Sequence, residues 1–474
     1  MFANVVSAFV DVWMMAPCAD GGAYSSYWSF KKHWGQASCW GDSGAGGDCS
    51  RVDFSGVTEI YSNPVAFVAL KKDLGQASCW GDAGGGDCSG VDFSGVTEIY
   101  SAAYAFVAVK KNRGQASCWG GPLFGGDCSK VDFSNVTEIY SSREAFVALK
   151  KNQGQASCWG TSDIGGDCSG VDFSGVTEIY SNYEAFVAWK KDRGQAICWG
   201  NRGGDCSRVD FSGVTEIYSS CFAQDAFVAW KKDLGQASCW GDSHYGGDCS
   251  GVDFSNVTEI FSNDYGFVAL KKHLGQASCW SSLGWLCSDV DFSNVTEIYS
   301  NPRAFVAWKK DLGQASCWGI SDVGGDCSGV FVALKKDLGQ ASCWGDSGNG
   351  GAGHCSELDF SNVTEIYSNC FAFAALKRDL AQAICWGDSQ YGGDCSRIDF
   401  SGVTEIYSNH LAFVALKPGS RSPVSPGVVV MAVGVIAAAV FAVVAIIVVR
   451  RRYRQRRGEP ALLTHQGTAL VNRT

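Results

Sequence analysis

Short runs of apolar residues recur along most of the chain, and their spacing is typical of β-strands. In one representative stretch, residues 58–62 alternate polar and apolar positions, residues 66–70 form a continuous apolar run, and residues 76–80 end in Cys-Trp. Runs of this length are too short for a helix, and no helical period is sustained. The continuous apolar run 66–70 predicts a strand that is buried on both faces. Residues 71–75 contain the Asp and Gly of a hairpin turn. The pattern predicts three or four short strands per unit.

This unit is repeated. A Trp that follows Cys recurs ten times, with about 40 residues between most copies. The ten positions are Trp40, Trp80, Trp119, Trp159, Trp199, Trp240, Trp280, Trp318, Trp344 and Trp386. One copy is truncated, because Val330 runs directly into Phe331 and about fourteen residues that include the first strand are absent. Repeated units of short strands predict an all-β chain of propeller blades.

The repeat "VTEIYS…AFVALKKD…WG" resembles that of RCC1-type β-propellers, especially the shorter-bladed β-lactamase-inhibitor-like branch. The resemblance covers residues 24–417 and implies a propeller-like array of ten repeats. The chain departs from the family by an Asp-Leu-Gly turn, by added cysteines and by more copies than the seven blades usual there. A single large ring, a seven-bladed ring with extra blades and an irregular stack all remain open. Because the family includes exchange factors, inhibitors and scaffolds, the resemblance says little about function.

Two cysteines flank a glycine-rich loop in every copy, although the loop varies in length and sequence. The pairs are Cys39/Cys49, Cys79/Cys88, Cys118/Cys128, Cys158/Cys168, Cys198/Cys206, Cys239/Cys249, Cys279/Cys287, Cys317/Cys327, Cys343/Cys355 and Cys385/Cys395. We interpret them as disulfides, with free structural thiols and a metal site as weaker alternatives. Cys18, Cys221 and Cys370 are left over, and the last two occupy the same repeat position.

The loop "CWGDSGAGGDC" (39–49) matches the local signature of a serine-protease nucleophile at Ser43, and Gly-Asp-Ser-Gly recurs at 345–348. Ser43 is replaced by Ala83 in the next copy, and only His33 precedes it. A trypsin-like site needs a His and then an Asp before the Ser. We interpret the match as coincidental and expect no enzyme activity, no metal site and no cofactor.

A 23-residue uncharged run, 427–449, is long enough to cross a bilayer, and the basic stretch Arg450–Arg457 follows it. We predict an irregular N-terminus (1–23) with a candidate atypical signal segment, the repeats (24–417), a stalk (418–426), a transmembrane helix (427–449) and a basic cytoplasmic tail (450–474). The repeats would then be extracellular or lumenal, at the plasma membrane or an endomembrane. The alternative is a tail-anchored cytosolic scaffold.

Charge is unevenly distributed along the chain. Residues 450–474 carry seven Arg and one Glu, a net charge of +6, so the total of −10 leaves −16 on residues 1–449. An acidic body argues against nucleic acid as a partner.

Two repeated surface features are candidates for modification or binding. Asn-Val-Thr sequons predict glycosylation at Asn135, Asn256, Asn294 and Asn362, although other copies have Gly there and turn geometry alone would explain the alternation. Lysine pairs in the hairpin turns suggest a basic binding rim, made up of Lys71, Lys72, Lys110, Lys111, Lys150, Lys151, Lys190 and Lys191 in the first four copies. The alternative is a solvated turn without a partner.

Taken together, these features predict a single-pass membrane protein that displays a disulfide-stapled propeller. Its expected role is recognition or adhesion, with an extracellular protein or glycan as the partner. A structural surface-coat protein is the alternative.

Overall fold

A computed structural model describes residues 10–14, 34–82, 84–201, 203–220, 226–281, 287–300, 304–312, 314–319, 331–335, 339–344 and 358–419. The chain divides into two units, Met1–Gly419 and Ser420–Thr474, and every described residue belongs to the first. Within the described residues, no helix is long and apolar enough to span a membrane. The predicted transmembrane segment, 427–449, and the predicted tail, 450–474, lie outside them.

The described residues form ten three-stranded antiparallel sheets. The strands are β1 (Val10–Met14), β2 (Trp34–Gly41), β3 (Glu59–Asn63), β4 (Ala66–Lys71), β5 (Gln76–Gly81), β6 (Glu98–Ala102), β7 (Ala105–Lys110), β8 (Gln115–Gly120), β9 (Glu138–Ser141), β10 (Ala145–Lys150), β11 (Gln155–Gly160), β12 (Glu178–Ser181), β13 (Ala185–Lys190), β14 (Gln195–Gly200), β15 (Glu216–Ser219), β16 (Ala226–Lys231), β17 (Gln236–Gly241), β18 (Glu259–Ser262), β19 (Phe267–Lys271), β20 (Gln276–Trp280), β21 (Glu297–Ser300), β22 (Ala304–Lys309), β23 (Gln314–Gly319), β24 (Phe331–Lys335), β25 (Gln340–Trp344), β26 (Glu365–Ser368), β27 (Ala372–Lys377), β28 (Gln382–Gly387), β29 (Glu405–Ser408) and β30 (Ala412–Pro418).

Eight sheets each consist of three strands that are consecutive in the chain, as in β3-β4-β5. We call the first, second and third of these the inner, middle and outer strand. The middle and outer strands are joined by 3₁₀ turns at Lys72–Leu74, Lys111–Arg113, Lys151–Gln153, Lys191–Arg193, Lys232–Leu234, Lys272–Leu274, Lys310–Leu312 and Arg378–Leu380. Further helical turns follow the outer strands at Ser43–Gly47, Pro122–Phe124, Ser162–Ile164, Ser243–Tyr245 and Ser389–Tyr391. The prediction of a propeller-like repeat of short strands is confirmed.

The core lies between neighbouring sheets, which explains the continuous apolar run of each middle strand. In β4, Phe67 and Ala69 pack toward the preceding sheet, whereas Val68 and Leu70 pack toward the following one. The whole strand is buried as a result. The prediction of a strand buried on both faces is therefore confirmed.

In several repeats, a tryptophan joins two adjacent sheets. Trp80 stacks on Phe67 with ring centroids 5.3 Å apart and meets Phe54 edge-on at 5.4 Å. Its indole N–H donates to the carbonyl of Gly46, 3.0 Å away, in the loop that follows the outer strand of the preceding sheet. Trp119, Trp159, Trp199, Trp240 and Trp280 make the equivalent hydrogen bond. The Trp that marks the repeat in the sequence thus links consecutive repeats.

The N-terminal part of the chain completes two sheets formed by later repeats. β2 pairs with β30, so that the last sheet has the order β2-β30-β29. This sheet contacts the first complete one, where the Ser62 hydroxyl donates to the carbonyl of Ser408. β1 pairs with β24 of the truncated repeat. The first and last repeats are therefore joined directly.

Candidate functional site

Two loops in each complete repeat change sequence from copy to copy, and both lie at the same end of the sheet. The inner loop joins the inner and middle strands, and the stapled loop follows the outer strand between its two cysteines. Because Ala105, at the start of β7, pairs with Gly120, at the end of β8, the two loops of this sheet are adjacent. Lys110 pairs with Gln115 at the opposite end, beside the lysine turn. The end that carries both loops is the variable-loop face, and the other is the lysine-turn face.

On the variable-loop face, Arg143 lies between tyrosines of the two neighbouring repeats. Its guanidinium is 4.6 Å from the ring centroid of Tyr183 and 5.8 Å from that of Tyr104. The backbone continues the contact, since Ala103 N–H donates to Arg143 O and Arg143 N–H donates to Tyr183 O. Glu144 pairs with the Arg143 guanidinium at 3.2 Å. Three consecutive inner loops therefore form one continuous surface.

Stapled loops extend this surface with aromatic and aliphatic side chains. Phe124 contacts Tyr104 with centroids 5.2 Å apart, and the neighbouring Leu123 is 76% exposed. Other repeats have different residues in the same places, with Tyr245 against Tyr265 at 6.0 Å and Phe371 against Tyr391 at 4.6 Å. Tyr, Phe and Arg are enriched in protein interfaces, and an exposed Leu beside them adds apolar area.

His410 belongs to the inner loop of the last sheet. Burial lowers the pKa of this side chain from 6.5 to about 4. The backbone carbonyl of His410 accepts a hydrogen bond from Cys370 N–H in the inner loop of the preceding sheet. At neutral pH the imidazole is therefore uncharged.

Within the residues that the structure describes, disulfides close eight stapled loops. The bonded pairs are Cys39–Cys49, Cys79–Cys88, Cys118–Cys128, Cys158–Cys168, Cys198–Cys206, Cys239–Cys249, Cys279–Cys287 and Cys385–Cys395, with Cα–Cα distances of 5.6 to 5.9 Å. Cys317 and Cys370 are also disulfide-bonded. Cys18, Cys221, Cys327 and Cys355 lie outside the described residues. Each disulfide thus ties a varied loop to the strand that precedes it.

The lysine-turn face differs from the basic rim that the sequence suggested. The first lysine of each pair is buried, and its ammonium meets an aspartate 18 residues earlier: Lys71–Asp53, Lys110–Asp92 and Lys150–Asp132 at 2.5 Å, and Lys190–Asp172 at 2.7 Å. The second lysine has a partner too: Lys72–Glu59 at 2.9 Å, Lys111–Glu98 at 2.7 Å, Lys151–Glu138 at 3.5 Å, and Lys191 over the Trp189 ring at 4.8 Å. These eight lysines therefore do not form an exposed, uncompensated basic rim.

Hydrogen bonds from the buried lysines lower the pKa of the paired aspartates. The strongest influence on Asp53 is its bond from Lys71, followed by bonds from Ser55. Asp92, Asp132 and Asp172 are lowered in the same way by Lys110, Lys150 and Lys190. The aspartates therefore stay ionised throughout the neutral and mildly acidic range.

The four sequon asparagines are exposed and adopt left-handed backbone conformations. Their φ values are 58° for Asn135 and Asn294, 59° for Asn256 and 62° for Asn362. Gly56, Gly95, Gly175, Gly213 and Gly402 occupy the same turn with φ between 70° and 74°. Turn geometry is thus sufficient to explain the alternation of Asn and Gly. Glycosylation of these residues stays a prediction.

The protease-like stretch forms part of a stapled loop. Ser43 begins the helical turn Ser43–Gly47, and the Asp42 carboxylate accepts a hydrogen bond from Ala45 N–H at 3.0 Å. Asp42 thus caps its own loop. Within the part of the chain that the structure describes, no group of three or more His, Cys, Asp or Glu side chains is placed to hold a metal ion.

Sequence reasoning missed the variable-loop face, because it searched for what the repeats share. The signal was in the differences between copies. Arg143 and Tyr183 stand at one position of the inner loop and Tyr104 stands at the next, within an otherwise constant unit. Loops that vary between repeats commonly form the binding face of a repeat protein.

No protein-family model and no curated protein matches the chain. Among solved structures, it is similar to the ectodomain of the Physcomitrella patens receptor kinase CR4, at 15% identity over 55% of this chain and 71% of that one, with a TM-score of 0.33. It is similar to the CRINKLY WD40 ectodomain of the Arabidopsis thaliana receptor kinase ACR4, at 13% identity over 55% and 94%, with a TM-score of 0.30. Yeast RCC1 (Prp20), solved bound to Kap60, aligns at 12% identity over 89% and 97%, with a TM-score of 0.30.

Proposed function

We propose that the chain is a membrane-anchored recognition module that binds another protein, without catalysis, through the variable-loop face. The observation that carries this proposal is the segregation of the two ends of the sheets. Side chains that differ between repeats lie on the variable-loop face. On the lysine-turn face, the repeated lysines pair with repeated carboxylates. Specific recognition needs a surface that does not repeat, and the variable-loop face supplies it.

A protein partner fits this face better than an anionic glycan does. The centre of the surface offers stacked Tyr and Arg side chains, and Leu123 and Phe124 add apolar area beside them. A sulfated glycan would need unpaired cations, and Arg143 already has Glu144 as a partner. Aromatic, arginine and exposed aliphatic side chains together are typical of the centres of protein interfaces.

Placement outside the cytosol is supported by the chemistry of the stapled loops. Eight disulfides in the described residues need an oxidising compartment to form and persist. The apolar run 427–449, followed by basic residues, would anchor the array with the tail in the cytoplasm. Protease treatment of intact cells should degrade the repeats and spare the tail, and protected repeats would contradict this topology.

Paired variants of the full chain test which face binds. L123A/R143A removes an exposed leucine and a cation from the variable-loop face, and L74A/R113A removes the same two residue types from the lysine-turn face. A hot-spot loss of about 2 kcal/mol would weaken capture of the partner roughly thirtyfold in the first variant alone. Equal weakening by the two variants, with both still folded, would overturn the proposal.

A further inference from the structure

The truncated repeat lacks the strand that should lie on the inner side of β24. In the complete repeat, β3 precedes β4 and pairs with it along most of its length. In the truncated copy, Val330 precedes Phe331 directly, so its own segment provides no inner strand. A middle strand without that partner would leave a row of N–H and C=O groups unpaired inside the array, which is costly.

β1 occupies that place with the register of a regular inner strand. Asp11 pairs with Leu334, Val12 with Ala333 and Trp13 with Val332. In the complete repeat, the equivalent positions pair Glu59 with Leu70, Ile60 with Ala69 and Tyr61 with Val68. The middle strands Phe67–Lys71 and Phe331–Lys335 have the same sequence, Phe-Val-Ala-Leu-Lys, so the two registers correspond residue by residue.

The residue types of β1 correspond as well. Asp-Val-Trp stands at the register positions of Glu-Ile-Tyr: an acid, then a β-branched residue, then an aromatic one. β1 also lies beside β26, the inner strand of the next sheet, just as β3 lies beside β6. Pairing register, chemical pattern and neighbouring strand thus agree, and each is a separate observation.

We propose that residues 10–14 are a donated strand that replaces the missing strand of the truncated repeat, and that they remain in the mature protein. The acceptor is the inner edge of β24, and its occupant is the N-terminal segment of the same chain. Addition of a strand to an open edge is a common recognition mode, used here within one molecule. Removal of residues 1–23 as a signal segment would also remove this strand.

The first test needs no variant. N-terminal sequencing of the full-length protein, purified in detergent from its membrane, should find a chain that begins at or before Val10. A mature chain that begins after Met14 would overturn the proposal.

The second test measures hydrogen exchange of the peptide that contains β24. In the wild type its protection should match that of the peptide containing β4. V12P places a proline opposite Ala333 and should speed exchange of the β24 peptide about tenfold or more. V5P, outside β1, should leave exchange unchanged, and D11E/V12I/W13Y/M14S, which copies the regular inner strand, should keep the protection.

Two outcomes would contradict the donated strand. One is wild-type protection of β24 in the V12P variant. The other is protection that appears only at concentrations where light scattering detects dimers, because the strand would then come from a second copy of the chain.

Discussion

At the scale of single residues, the hairpin turns depend on one left-handed position. Gly75, Gly114, Gly154, Gly194, Gly235 and Gly275 adopt φ values of 58° to 63° at the end of the turn. Ala381 occupies the same position in a later copy with φ 55°. A side chain in the left-handed region costs about 1 kcal/mol or more relative to glycine. The repeat near Ala381 therefore carries strain that these six repeats lack.

We predict that A381G raises the free energy of unfolding by about 1 kcal/mol. The matched control is G275A, which introduces the same strain and places a Cβ about 3.0 Å from the Ser293 Cα, so it should lower stability. Chemical denaturation of the full chain in detergent measures both. A variant A381G that is no more stable than the wild type would show that the strain is relieved elsewhere.

A second single residue, His410, makes the stability of the fold depend on pH. Its pKa is about 4 in the folded protein and 6.5 when free of the fold. Because the folded pKa is the lower one, stability is fully present above pH 6.5 and declines as the pH falls toward 4. We predict that H410N removes this decline. The remaining acid sensitivity, which comes from the aspartates whose pKa the fold lowers, should begin only below about pH 4. An unchanged pH profile in H410N would contradict the assignment.

At the scale of elements, the disulfide holds each variable loop to the outer strand. Cys118 lies in β8, and its partner Cys128 follows the helical turn Pro122–Phe124, which carries Leu123. We predict that C118S/C128S destabilises this loop by up to about 3 kcal/mol, because the unfolded segment gains conformational entropy. Hydrogen exchange of the peptide 119–127 should rise while that of β13 stays constant. Unchanged exchange in 119–127 would show that the loop is rigid without its staple.

At the scale of the whole molecule, the N-terminal part of the chain completes two later sheets. β2 gives the last sheet its outer strand, and β1 gives the truncated sheet its inner strand. The first complete sheet packs against β30 through Ile60, Phe67 and Trp80. The two ends of the array are therefore held together by backbone pairing and by a shared core.

The repeated features were predictable from the sequence because each appears many times. The run Ala66–Leu70 and the constant cysteines indicated a doubly buried strand and stapled loops. The basic rim was not supported, because the sequence pattern does not show that Asp53 reaches Lys71 across the fold. The strand β1 could not be predicted as part of a distant sheet, since its pairing partner lies more than three hundred residues away.

Site-specific photo-cross-linking tests most directly whether the variable-loop face is the binding surface. A photoreactive residue replaces Leu123 on that face or, as the control, Leu74 on the lysine-turn face, which are 76% and 63% exposed. The full chain is displayed on cells and irradiated, and its cross-linked products are identified by mass spectrometry. We expect one specific protein to be cross-linked from position 123 and not from position 74. Cross-linking of that protein from position 74 alone would contradict the account.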